Sequence, residues 1–212
     1  MPSPPGCGKP IFKEMAKKPE ASALFTIGHS NQPLDAFLGL LETHDVGLLA
    51  DIRRYPGSRR WPWFGKDALS GSLREHGILY RHFPRLGGRR SPAPDSPNGA
   101  WRVAQFQAYA DYMATPEFQA ALDELIETLP ERPVAVMCAE VLPWRCHRNL
   151  LADAVVVRGI PVFHIMGHGD PKPHALPAFA KVDRRSKPPR LTYPPTGEVQ
   201  ARLRPYRGLT RS

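Results

Sequence analysis

"PVAVMCAEVLPWRCHRNLLADAVVVRGIPVFHIM", residues 133–166, decides the fold. Its opening run, "PVAVMCAE", is apolar and β-branched, which reads as a buried strand. In "HRNLLADAVVVRG" the apolar residues fall at helical spacing up to Gly159, a residue suited to closing a helix. "IPVFHIM" is a second strand. A strand, a helix and a strand in so short a span form the crossover unit of a parallel sheet.

The same alternation extends toward the N-terminus. "LFTIGHS" and "VGLLADIR" read as strands, with "PLDAFLGLLETHD" between them placing Leu34, Phe37, Leu38 and Leu41 on one helical face. "KDALSGSLREHG" is a short helix ended by Gly77, and "ILYRHF" is a further strand. "AWRVAQFQAYADYMATPEFQAALDELIETL" holds one or two helices, with Thr115-Pro116 as a break or a fresh N-cap. The pattern predicts an α/β fold: a mostly parallel five-stranded sheet with helices on both faces, a three-layer, Rossmann-like arrangement.

Composition sets the limits of this domain. Of 212 residues, 42% are hydrophobic and 23% charged, ordinary values for a globular protein. No apolar run approaches the roughly 20 residues of a membrane span. The first residues lack the apolar stretch of a secretory signal, so the expected location is cytoplasmic, where thiols stay reduced. Three cysteines, one of them Cys7 in a Pro-rich lead-in, do not make a disulfide scaffold. The 25 prolines concentrate at the ends and in two internal segments. Residues 1–22 therefore read as a flexible tail, 23–170 as the domain, and 171–212 as a basic Pro-rich tail that rests on the body through Leu176, Phe179 and Tyr193. The net charge of +9 divides as +2 for residues 1–23, −1 for 24–171 and +8 for 172–212. The basic character belongs to the tails, which weakens a nucleic-acid reading of the body.

In sheets of this kind, sites form beyond the carboxyl ends of the strands. The residues there are polar or reactive: His29, Ser30 and Asn31; Asp51 and Arg53; His82; Cys138 and Glu140; His164 and His168. Cys146 precedes a helix beside Arg145, His147 and Arg148, a setting that favours a thiolate. Several chemistries compete for this set. A phosphatase cradle fails, because six residues separate Cys138 from Arg145 and Glu140 would repel the anion. Cys138, Cys146 and His147 with His29 or His82 are candidate metal ligands, although the Cys-x7-Cys-His spacing matches no structural zinc pattern. A redox pair of Cys138 and Cys146 lacks the C-x-x-C spacing. Cys138 also fits a plain core position. "RRYPGSRRWPWFGK", residues 53–66, interleaves aromatics with cations, which suits base stacking and phosphate contact or simply a loop pinned by Trp61, Trp63 and Phe64. Residues 85–101 read as a long loop with a turn at Asn98-Gly99.

Taken in order, "TIGHSN", "DIRRYPGSRR", "LGG", "NGAW" and "MCAEVLPWRCHR" followed by "LLAD" resemble the DUF488 family over about Leu24 to Gly169. One departure is Asp-Ile-Arg where the family expects Asp-Val-Arg, a swap without chemical consequence. The resemblance implies a compact α/β domain with His29, Ser30, Asn31, Asp51, Arg53, Cys138, Glu140, Cys146, His147 and Arg148 at motif positions, and brings no activity with it.

The leading expectation is an enzyme for a small anionic substrate, nucleotide or nucleic-acid-derived. Cys138 or Cys146 serves as nucleophile or metal ligand, and His29 and His147 as proton carriers. Asp51 and Glu140 act as acid–base groups or orient the arginines. Ser30, Asn31, Arg53, Arg145 and Arg148 bind the anion. The alternatives are a non-catalytic nucleic-acid-binding module built on the Arg53–Lys66 loop and the basic tail, and a metal-binding protein using Cys138, Cys146 and His. No motif names a cofactor or an oligomeric state.

Overall fold

A computed structural model describes residues 23–57, 59–91 and 93–195; the expected N-terminal tail and the basic tail from 196 onward lie outside them. Five parallel strands form the sheet: β1 (Leu24–Gly28), β2 (Leu48–Asp51), β3 (Leu79–His82), β4 (Val134–Cys138) and β5 (Val162–His164). A sixth, β6 (Lys172–Pro173), joins antiparallel to β5, giving the order β3-β2-β4-β1-β5-β6. All five residues of β4 are buried, because helices cover both faces of a parallel sheet.

Side-chain alternation along the strands divides the interior into two cores. On one face, α1 (Leu34–Thr43) and α2 (Lys66–Glu75) pack Phe37, Leu41, Leu69 and Leu73 against Ala135 and Met137. On the other, α3 (Ala104–Met113), α4 (Pro116–Ile126) and α5 (Arg148–Val157) pack Tyr109, Phe118 and Leu151 against Val134, Val136 and Cys138. Thr115 separates α3 from α4 by accepting the Phe118 N–H at its hydroxyl, and Pro116 opens the new helix. Gly77 and Gly159 end their helices with φ of 70° and 82°. No helix among the described residues is long and apolar enough to cross a membrane.

The segment from residue 171 belongs to the body as far as 195. Besides β6, it forms a hairpin of β7 (Lys181–Asp183) and β8 (Arg190–Thr192). Tyr193 is fully buried, edge-on to Trp101 and Phe179 with ring centres 5.4 and 6.0 Å away. Its N–H donates to the Asn98 side chain at 2.8 Å, which ties the long loop to this segment.

Candidate functional site

β1 and β4 run side by side past their ends. His29 N–H donates to Cys138 O at 3.1 Å and Ser30 N–H to Ala139 O at 3.0 Å. Gly28 permits this crossing, because a Cβ there would lie 1.9 Å from the Glu140 carbonyl oxygen. Ser30 then turns with a left-handed φ of 46°.

On the α1–α2 side of this edge the charges are paired. Both oxygens of the buried Asp51 accept from Arg53, at 2.9 and 2.5 Å, and Oδ2 also accepts from the Tyr80 hydroxyl at 2.7 Å. Arg53 donates onward to Phe64 O at 2.8 Å and to His29 Nε2 at 3.2 Å. His29 donates through Nδ1 to Ser30 O and stacks on Phe64 with ring centres 4.2 Å apart. Burial first, and Arg53 next, lower its pKa to about 4. His29 thus favours the neutral imidazole and has both nitrogens engaged, one of them by Arg53. Asp51 orients Arg53 rather than reaching a ligand. His82, read as part of the convergence, hydrogen-bonds Arg53 O at 2.8 Å. Phe64 is fully buried, and Trp61 and Trp63 pack on the same core, so the aromatic loop is pinned.

The other side holds the thiols. Cys138 Sγ lies 2.6 Å from Cys146 Sγ and accepts from Arg148 Nη1 at 2.7 Å. Arg148 is 1% exposed and donates also to the carbonyls of Glu140 and Val141, so it stitches the loop after β4 back onto the strand end. It faces no ligand space, contrary to the expected anion-binding role. Among the described residues no carboxylate pairs with it. A buried cation whose partners are carbonyls and a sulfur favours the charged form of that sulfur. Burial works against the Cys138 thiolate, but the Cys146 hydrogen bond and Arg148 prevail and bring its pKa to about 7. Cys146 moves the opposite way, pushed well above its ordinary value first by the hydrogen bond to Cys138 and then by burial. The two thiols titrate together rather than one by one. The expected activation of Cys146 by a helix N-terminus depends on where α5 begins. A 3-10 turn, Pro143–Arg145, places Cys146 ahead of α5, where its Sγ receives only a 3.5 Å contact from Arg148 N–H. His147 Nδ1 lies 3.5 Å from Cys146 Sγ, and burial lowers this imidazole to about 4.

Above both clusters opens a cavity of about 570 Å³. His29, Ser30, Asn31, Arg53, Cys138 and Glu140 line it, as do Arg145, Cys146 and His147. Asp51 and Arg148 stand behind the wall. Arg54 and Tyr55 belong to the 53–66 stretch of aromatics and cations, and Arg89 to a similar stretch, 80–90, whereas Gln105 and Phe106 were not named from the sequence; all five line the cavity. The signal was "LGG". A Cβ on Gly87 would meet the Arg54 backbone at 2.9 Å, and one on Gly88 the His147 ring at 3.0 Å. Arg89 follows with a left-handed φ of 59°, and Arg54 donates to its carbonyl at 2.9 Å.

The end of β5 serves a different purpose. His164 is buried in a chain running from Thr26 Oγ1 (2.7 Å) through His174 (3.0 Å) to Asp153 (2.7 Å), which the Tyr193 hydroxyl also reaches at 2.6 Å. His168 contacts Thr43 at 3.2 Å. Neither histidine lines the cavity. Among the described residues no group of three His, Cys, Asp or Glu is placed to hold a metal ion.

Searches of the curated proteins and of the solved structures find no match. The family described as "Domain of unknown function DUF488" matches residues 33–155, more than half of the chain and all of the elements from α1 to the body of α5. The match takes in Asp51, Arg53, Cys138, Cys146 and Arg148, and the chain belongs to the DUF488 family.

Proposed function

We propose that the chain is a thiol-dependent enzyme in which Cys138 attacks a small anionic substrate held in the cavity at the sheet edge. The observation that carries this reading is the Cys138–Arg148 contact. Among the described residues, a buried cation without a carboxylate partner lies against the Cys138 sulfur on the cavity wall, a setting that favours its thiolate. Arg54, Arg89 and Arg145 supply positive charge around the opening against the carboxylate of Glu140, Arg53 being paired with Asp51, and Tyr55, Trp61 and Phe106 add ring surface. That lining suits an anion carrying a planar group, a nucleotide fragment among them. The volume lies within the roughly 300–1,000 Å³ range of small-molecule sites. Ser30 and Asn31 offer hydrogen bonds at the mouth.

The test is alkylation of Cys138 against pH, with iodoacetate and iodoacetamide compared and Cys138→Ser as the blank. The expected rate is half-maximal near pH 7, with iodoacetate favoured by the arginines. A profile centred near the free-thiol value of about 8.5 overturns the nucleophile.

A second reading rests on Arg54 and Tyr55. Tyr55 is 66% exposed beside the cavity, and the Arg54 guanidinium lies 5.7 Å from its ring centre. Single-stranded nucleic acid could stack and pair charge there. Binding that weakens steeply with salt and is lost in Tyr55→Ala supports this reading; salt-insensitive or absent binding removes it.

A further inference from the structure

A nucleophile that works by hydrolysis needs water to reach its covalent adduct. Beside Cys138 the nearest reactive group is a second sulfur. Cys146 Sγ sits 2.6 Å away and is 6% exposed, with Arg148 closing the other flank at 2.7 Å. An adduct on Cys138 therefore has a thiol in direct contact with it, beside the cavity it faces. For an acyl or phosphoryl adduct this is unproductive, since the group only moves from one sulfur to another. For an adduct through sulfur it completes a reaction.

We propose that Cys138 and Cys146 form a reducing dithiol for a small anion that contains a sulfur–sulfur bond, with Cys138 attacking and Cys146 releasing the product. The inference rests on the reading of Cys138 as nucleophile and adds the substrate class. The fold supplies the proximity that a C-x-x-C motif would otherwise provide. Cys138 ends β4, and the chain then turns back through the 3-10 turn, where Cys146 N–H donates to Pro143 O at 3.0 Å. Arg148 fixes the same loop through the Glu140 and Val141 carbonyls. The two sulfurs are thus already adjacent, and closing a disulfide requires little loop rearrangement.

The chemistry balances as two exchanges. The Cys138 thiolate attacks one sulfur of the substrate, the substrate bond breaks, and the first thiolate leaves with the electron pair. Cys138 is then neutral in a mixed disulfide. Cys146 loses the neighbouring anion that held its proton, and that proton passes to the departing thiolate. The Cys146 thiolate attacks Cys138 Sγ, and the second substrate thiolate leaves. The protein ends with a Cys138–Cys146 disulfide, two electrons have passed to the substrate, and an external dithiol reductant resets the pair.

The probe is dithiobis(nitrobenzoate), an anionic aromatic disulfide, applied in equimolar amount to the full chain carrying Cys7→Ser. The expected result is two thionitrobenzoate anions released per chain and a protein mass lower by two hydrogens, with no adduct retained. In the same background Cys146→Ser should release half as much and keep one thionitrobenzoate on Cys138. A parent chain that retains the adduct on Cys138 overturns the dithiol while leaving the nucleophile standing. A Cys138→Ser chain that reacts as fast as the parent overturns both. The parent chain's mass and yield decide the matter even if the Cys146 variant folds poorly.

Discussion

Helix α5 serves two buried polar clusters that differ in how they end. Arg148, in its first turn, reaches Cys138; Asp153, in its second, reaches His174 and Tyr193. In the second cluster each donor has an acceptor. The Thr26 hydroxyl donates to His164 Nδ1, His164 Nε2–H to His174 Nδ1, and His174 Nε2–H to Asp153, whose other oxygen takes the Tyr193 hydroxyl. The tautomers follow from these partners. The chain ends on a carboxylate with nothing left over, and its effect is to dock the segment from 172 to 193. In the first cluster a cation has, among the described residues, no carboxylate beside it, only carbonyls and a sulfur that faces a cavity. Both clusters gather reactive residue types near strand ends. Unfinished charge separates the cluster proposed for chemistry from the one that docks the chain.

Arg148→Met should break this contrast most sharply. Without the cation the Cys138 pKa rises toward its ordinary value, and thiolate at pH 7 falls about tenfold for each unit of rise. The Glu140 and Val141 carbonyls lose a charged donor as well, costing about 3 kcal/mol. Alkylation against pH and urea unfolding measure the two effects. An unchanged alkylation profile would remove Arg148 from the account of reactivity.

Acid should strain both clusters together. His29, His147 and His164 are each brought from 6.5 to about 4 by burial. Between those values the unfolded chain binds protons that the folded chain refuses, so stability falls as pH drops through this window. Asp153 runs the other way, because burial raises its carboxyl, and it offsets part of the loss. Urea midpoints between pH 7 and 4 report the sum. A flat profile would mean that the imidazoles are not buried neutral.

Tyr193→Phe acts on the satisfied cluster alone. It removes one hydrogen bond to a buried carboxylate, a loss of about 1.5–3 kcal/mol. The Cys138 alkylation profile should stay where it was. A shift in that profile would show that the two clusters communicate through α5 and dissolve the comparison.

The alternation of strands and helices was legible because it rests on apolar periodicity, which burial on both sheet faces enforces. The position of Cys138 followed from the end of β4. Direction was not legible. Arg145 and Arg148 have the same chemistry three residues apart, yet the 3-10 turn leaves Arg145 exposed and α5 buries Arg148. For Asp51 the sequence left acid–base work and the orienting of arginines open, and its oxygens accept from Arg53 and Tyr80. The C-x-x-C rule discounted the cysteine pair because it measures distance along the chain, and the loop folds back. The Pro-rich composition after 170 concealed His174, a single residue whose burial no periodicity announces, although it left Tyr193 legible as a contact with the body.

The smallest expected effect belongs to Arg145, and it tests what the cavity adds beyond the thiolate itself. Arg145 is exposed on the cavity wall and forms no ion pair among those of the described residues, so Arg145→Ala should change stability by less than about 0.5 kcal/mol. Its charge acts on an incoming anion through solvent, where a single interaction is worth about 1 kcal/mol or less. The preference of Cys138 for iodoacetate over iodoacetamide should therefore drop a few-fold, and the drop should shrink as salt is added. The alkylation pKa should not move, because Arg148 and not Arg145 touches the sulfur. If the pKa rises in Arg145→Ala as it does in Arg148→Met, the thiolate depends on the open rim as well as on the buried cation. The division between a satisfied cluster and an unfinished one would then have to be drawn through the whole cavity.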